Sequence, residues 1–231
     1  MGYGANAGFL RSKIRLAGDG SRGIYSPRPA AEMLLFQRFF RFLRGAAART
    51  GQLLNYSDLA RDADVAVGTA KNYLSILIAS GLVTLLEPYF ANRTKRMTQA
   101  PKLYFLDTGL CAYLTDWSSP ETLEAGAMAG HIFETWCFAE ILKSYRNSGK
   151  RPAFYFYRDF DQVEIDLVIE QDGVLYPIEM KKSSDPGRDA AKHFSKLEKF
   201  GKEVGMGAVV CMVRECSPLT RECKLIPAAS L

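Results

Sequence analysis

Apolar residues recur at three- and four-residue spacing over residues 31–50, where Met33, Phe36, Phe40 and Leu43 have Arg38, Arg41 and Arg44 between them. That period predicts a helix. Leu35, Phe39 and Phe42 widen its apolar face, so it is expected to pack on two neighbours, one of them outside this chain. Two shorter helices follow. Asn55-Tyr56-Ser57-Asp58 is a helix start in which Asn55 or Ser57 supplies the cap, and Leu59 and Ala60 face inward. Residues 64–68 make a tight connection. A second helix runs over about 69–80, with Ala70, Tyr73, Leu74 and Leu77 on its inner stripe and Gly81 ending it. Runs of β type then occupy 82–86 and 102–106, on either side of a polar basic stretch at 92–96.

Beyond residue 120 the pattern changes. A helix is expected over about 127–145, strands near 154–158, 163–170 and 174–182, and a helix at about 189–200. An apolar strand at 207–213 and a short one at 224–226 complete an αβββαβ order, an α/β sandwich rather than a doubly wound sheet.

The first half carries the layout helix, turn, helix, hairpin of a winged helix-turn-helix. In such a unit the second helix enters the major groove, with Thr69, Lys71, Asn72, Ser75 and Ile76 outward, and Arg93, Lys95 and Arg96 at the wing tip touch phosphates. Charge agrees with that placement. Residues 1–110 hold fifteen Lys and Arg against seven Asp and Glu, whereas residues 111–231 hold fifteen against eighteen. The basic half is the candidate for DNA; a basic surface kept for solubility gives the same count.

Composition removes several function classes. The apolar fraction of 48% and charged fraction of 24% are those of a globular chain, and no apolar run is long enough to cross a bilayer. Five cysteines without a CxxC pair, and only His131 and His193, exclude a Cys2His2 finger. A cytoplasmic protein without membrane contact is expected. Residues 1–30, rich in Gly, Ser, Pro and Arg, read as a disordered or non-native arm. No phosphate-loop motif occurs, so ATP binding is not assigned to this chain.

The most informative stretch is VEIDLVIEQDGVLYPIEMKK. Asp172-Gly173 between two alternating runs predicts a two-residue hairpin turn, which fixes the register. Asp166 then lies opposite Glu179, and Glu164 opposite Lys181, on one face; Ile165, Leu167, Ile169, Tyr176, Ile178 and Met180 fill the other. Opposed carboxylates repel unless something holds them, and Mg²⁺ with oxygen ligands is one such holder. Ordinary charged positions on a solvent face are the plain alternative. Glu134 adds weight to the metal reading. It falls within the apolar stripe of Gly130, Cys137, Phe138, Ile141 and Tyr145, where an ionised carboxylate needs a partner, a metal or a proton.

Glu134, Asp166 and Glu179-Met180-Lys181 together resemble the PD-(D/E)XK nuclease superfamily. The resemblance implies Asp166 and Glu179 as Mg²⁺ ligands, Lys181 as the catalytic lysine and Glu134 as an accessory acid, in a phosphodiester hydrolysis. Ile165 stands where the motif has proline. The longer runs LLNYSDLARDADV, GLVTLLEPYFANRTKR, KLYFLDTGLCAYL and FETWCFAEILKSY are similar to the C-terminal half of a family of bacterial and archaeal AAA-type ATPases. There a P-loop module precedes a winged helix and a restriction-endonuclease-like domain of unassigned function. The resemblance implies a lid remnant at 31–50, a winged-helix domain at 51–120 and a nuclease-like domain at 121–231. Residues 31–50 would meet an ATPase module or a second copy. The competing expectation is a non-catalytic recognition or assembly module with a vestigial metal site.

Overall fold

The computed structural model describes residues 30–90, 100–151 and 153–231. The arm expected over residues 1–30 (all but its last residue) and the basic tip with Arg93, Lys95 and Arg96 lie outside the described residues. The chain divides into two compact units, 1–35 and 36–231. Of the first, only the opening of helix α1 (Ala30–Ala47) is described; all that follows concerns the second.

Helix α1 buries Phe42, Ala46 and Ala47, while Phe36 and Phe40 remain exposed and stack with ring centres 6.3 Å apart. Asn55, not Ser57, caps α2 (Tyr56–Ala63), its side chain accepting from the backbone N–H of Ser57 and of Asp58. The next helix, α3 (Val67–Ala79), starts two residues before the expected Thr69 because Ala66 already has the extended backbone of a cap. It buries Ala70, Leu74 and Leu77 and exposes Lys71, Asn72, Ser75 and Ile76, with Thr69 half-buried. Strand β1 (Gln52–Leu53) precedes α2, and β2 (Val83–Pro88) and β3 (Lys102–Phe105) follow α3, β3 pairing antiparallel with both other strands. Two short helices absent from the sequence expectation, α4 (Thr108–Leu114) and α5 (Pro120–Ala125), lead into α6 (Ala129–Asn147). Neither spans two full turns, which leaves little periodicity to read; the signals are the caps Asp107 and Ser119, with Pro120 and Thr122 completing the second.

Strands β4 (Ala153–Arg158), β5 (Glu164–Gln171), β6 (Val174–Lys181), β7 (Gly207–Cys211), β8 (Ser217–Pro218) and β9 (Cys223–Pro227) join the first three in one mixed sheet. Among the described residues its order is β1-β3-β2-β4-β5-β6-β7-β9-β8. The parallel pairing of Glu87 with Tyr155 and Pro88 with Phe156 carries the sheet from the first half of the chain into the second. The fold class is mixed α/β.

Helix α6 covers one sheet face, packing Cys137, Phe138, Ile141 and Leu142 over Phe156, Leu167, Ile169, Met180 and Val210. The other face, with Val168, Leu175 and Val209, is closed by Phe194 and Leu197. The helix expected at 189–200 is instead two 3-10 segments, Arg188–Ala191 and Phe194–Phe200. Ala191, Phe194, Leu197 and Phe200 are spaced strictly by three, the period that a 3-10 turn aligns on one face and an α-helix does not.

Candidate functional site

The β5–β6 hairpin has the register expected. Asp172 (φ 53°) and Gly173 (φ 82°) both take the left-handed conformation a tight turn demands, and pairs run from Gln171–Val174 to Leu167–Ile178. There the ladder between the two strands ends. Each strand continues along its other neighbour: β5 to the Arg158–Glu164 pair, β6 to the Lys181–Cys211 pair. The Asp166 carboxylate sits where they part, its Oδ2 accepting from the Met180 N–H at 2.8 Å in place of a backbone carbonyl.

A β-bulge explains the departure. Tyr155 pairs with Val168 and Tyr157 with Ile165, so Asp166 and Leu167 together face one residue of β4. Alternation shifts by one position, which corrects two expectations. Ile165 packs with Tyr157, Val168 and Leu197, not with Leu167 and Ile169. Glu164 is not the partner of Lys181. It bonds Lys102 Nζ at 2.6 Å and Arg158 Nη1 at 3.1 Å, while Lys181 Nζ lies 2.8 Å from Glu179 Oε2.

Asp166 and Glu179 are buried at 8% and 4% exposure. With Glu164 and Lys181 they line a cavity of about 670 Å³, whose far wall is the segment carrying Ser183, Asp189, Lys192 and His193. Burial and the adjacent Asp166 push the Glu179 carboxyl up to about 8, against the pull of Lys181. Burial alone would lower the Lys181 ammonium, but Glu179 and Asp166 carry it above its ordinary value. Hard oxygen donors that repel each other, open to a polar cavity, fit a divalent cation such as Mg²⁺. Asp166 Oδ1 and Glu179 Oε1 are the oxygens not engaged by Met180 and Lys181. The candidate set is Asp166 and Glu179; among the described residues, no group of three or more His, Cys, Asp or Glu side chains is arranged to hold a metal ion.

Glu134 is placed differently from the expectation. Its Oε1 accepts from Lys102 Nζ at 2.8 Å and from the Tyr104 hydroxyl at 2.5 Å. It is not among the residues lining the cavity. Burial and Asp166 move Glu134 up to about 7, opposed by Lys102 and Tyr104. For Lys102 burial lowers the ammonium, but Glu134, Asp166 and Glu164 together lift it well above its ordinary value. The Lys102 ammonium, within 3 Å of both acids, draws Glu134 back toward its charged form without cancelling the rise.

Lys102, Tyr104 and Arg158 are the neighbours that sequence reasoning missed. The signal for the first two was present. A lysine opening the run Lys-Leu-Tyr-Phe shares a face with the tyrosine two residues on, and in this strand every residue is buried. Of the nucleic-acid residues expected, Lys71 and Asn72 are exposed on α3, Lys71 Nζ lying 5.5 Å from the centre of the Tyr56 ring.

Comparison with known proteins divides the chain in two. Residues 30–121 match the family model of DUF8612, a domain of unknown function, and residues 129–231 match that of DUF4143, another domain of unknown function. DUF4143 is commonly a C-terminal part of AAA-ATPase-associated proteins. The chain is similar to the uncharacterized proteins Rv2008c of Mycobacterium tuberculosis and Mb2031c of Mycobacterium bovis, each 34% identical over 136 residues. That match takes in 59% of this chain and spans 30% of the length of either relative. No solved structure matches the chain. No described helix is long and apolar enough to cross a membrane.

Proposed function

We propose that this chain is the C-terminal part of an AAA-type ATPase, with a winged helix that docks on DNA and a nuclease-like sandwich that takes Mg²⁺ and hydrolyses phosphodiesters. The observation that carries this reading is the convergence of Asp166, Glu179 and Lys181 on one cavity where β5 and β6 part. Asp166 and Glu179 would hold the ion. When bound, Mg²⁺ supplies a Lewis acid for the phosphoryl centre. Lys181, 46% exposed at its side chain, is free to donate to a phosphate oxygen on the cavity side while its contact with Glu179 fixes its position. Pairing with DNA is supported by the outward row Lys71, Asn72, Ser75 and Ile76 on α3.

The test is cleavage of single- and double-stranded DNA with Mg²⁺ or Mn²⁺, wild type beside Asp166→Ala. Cleavage that disappears in the variant supports the reading; equal cleavage by both, or none by either, refutes catalysis. The tie of Glu134 to Lys102 and Tyr104 favours a second reading, an assembly module that binds metal without cutting. Metal affinity that depends on Asp166 and Glu179, without cleavage, is its signature.

A further inference from the structure

We infer that Lys102 is the built-in cation of an inner half-site, so that the protein takes one divalent ion where its four clustered acids could suggest two. This rests on the reading that Asp166 and Glu179 hold such an ion.

The acids fall into two groups by what already touches them. Glu134 and Glu164 share the Lys102 ammonium at 2.8 and 2.6 Å, Tyr104 bonds the same Glu134 oxygen, and Arg158 Nη1 takes the other oxygen of Glu164 at 3.1 Å. Two cations match the two acids of this group. The Lys102 side chain is 3% exposed, and neither it nor Glu134 lines the cavity; Glu164 does, with both its oxygens already bonded to Lys102 and Arg158. A Mg²⁺ ion entering here would have to shed its waters, which it does reluctantly, and displace an ammonium that already satisfies both acids.

The outer group has fewer cations, and both of its acids are open to the cavity. Asp166 and Glu179 are two acids beside one cation, Lys181, and both face the cavity, where an ion can keep part of its water shell. Lys102 enters from β3, within the stretch that matches the first domain, whereas the acids belong to the second. The first domain thus contributes a side chain to the site of the second.

The experiment is a Mn²⁺ titration of the full chain, read by calorimetry and by electron paramagnetic resonance of the free ion. Wild type should bind one Mn²⁺ per chain. Glu134→Gln should change the affinity by less than about twofold, as an independent site does. Asp166→Asn should weaken it by about tenfold or more, as loss of a ligand does. Lys102→Ala should admit a second Mn²⁺. Should that variant fold poorly, the wild-type count and Glu134→Gln still decide. Two ions per wild-type chain, a tenfold loss in Glu134→Gln, or a folded Lys102→Ala that still binds one ion would overturn the assignment of Lys102 alone. No Mn²⁺ on wild type would overturn the metal reading itself, and this inference with it.

Discussion

Replacing Glu179 by glutamine removes one of two adjacent buried carboxylates while keeping the side chain's shape. In the metal-free protein burial and Asp166 raise this group from the ordinary 4.5 to about 8. Between those values the folded chain keeps a proton that the unfolded chain releases. The stability this group supplies is therefore complete below pH 4.5 and drains away as pH rises toward 8, at about 1.4 kcal/mol per pH unit. Over the whole window that is roughly 5 kcal/mol. Glutamine loses the contact with Lys181, which takes back about half. Glu179→Gln should thus be about 2 kcal/mol more stable than wild type at pH 8 in chelator, and no more stable at pH 5. Urea unfolding at pH 5, 6.5 and 8 measures both. With excess Mn²⁺ the order at pH 8 should reverse, because an ion bound only by the folded wild type stabilises it. A variant weaker than wild type at pH 8 in chelator, or a gap that ignores pH, would refute the placement of two buried, mutually repelling acids here.

Other perturbations test the surroundings. Lys102→Met strands Glu134 with only the Tyr104 hydroxyl and should cost about 3–5 kcal/mol by urea unfolding, much of it returned by adding Glu134→Gln. Asn55→Ala leaves the Ser57 and Asp58 amides without their cap and should cost about 1 kcal/mol in the same assay. Gly126→Ala would set a methyl carbon 2.1 Å from the Trp117 ring, and should lower the thermal midpoint by an amount equivalent to about 1–3 kcal/mol, with altered near-ultraviolet circular dichroism from that tryptophan.

What the amino-acid pattern disclosed, and what it hid, follows the range of the interactions involved. The Asp172–Gly173 turn, the Asn55 cap and the inner stripe of α3 depend on neighbours within a few residues, and the structure has all three. The 3-10 segments are equally local: where a helix is expected over 189–200, the three-residue spacing of Ala191, Phe194, Leu197 and Phe200 marks the tighter turn. The bulge at Asp166 was out of reach. It exists because β4 pairs with β5 one position out of step on either side of Phe156, and nothing inside the β5 run announces that.

The same division governs the site. Asp166 and Glu179 were readable because one tight turn brings them together; the partner of Glu134 was not. Lys102 reaches Glu134 only because β2 adds to β4 in parallel and brings β3 with it, a junction formed by strands more than sixty residues apart in the chain. A buried glutamate in an apolar helix stripe signals that some compensating group exists, since the cost of leaving it alone is several kcal/mol, roughly, in a low-dielectric interior. It does not say whether that group is a proton, an ion or a lysine. With Lys102 in place, the four acids fall into a pair matched by two cations and a pair beside one. The second pair, open to the cavity, is where a ligand carrying positive charge has something to gain.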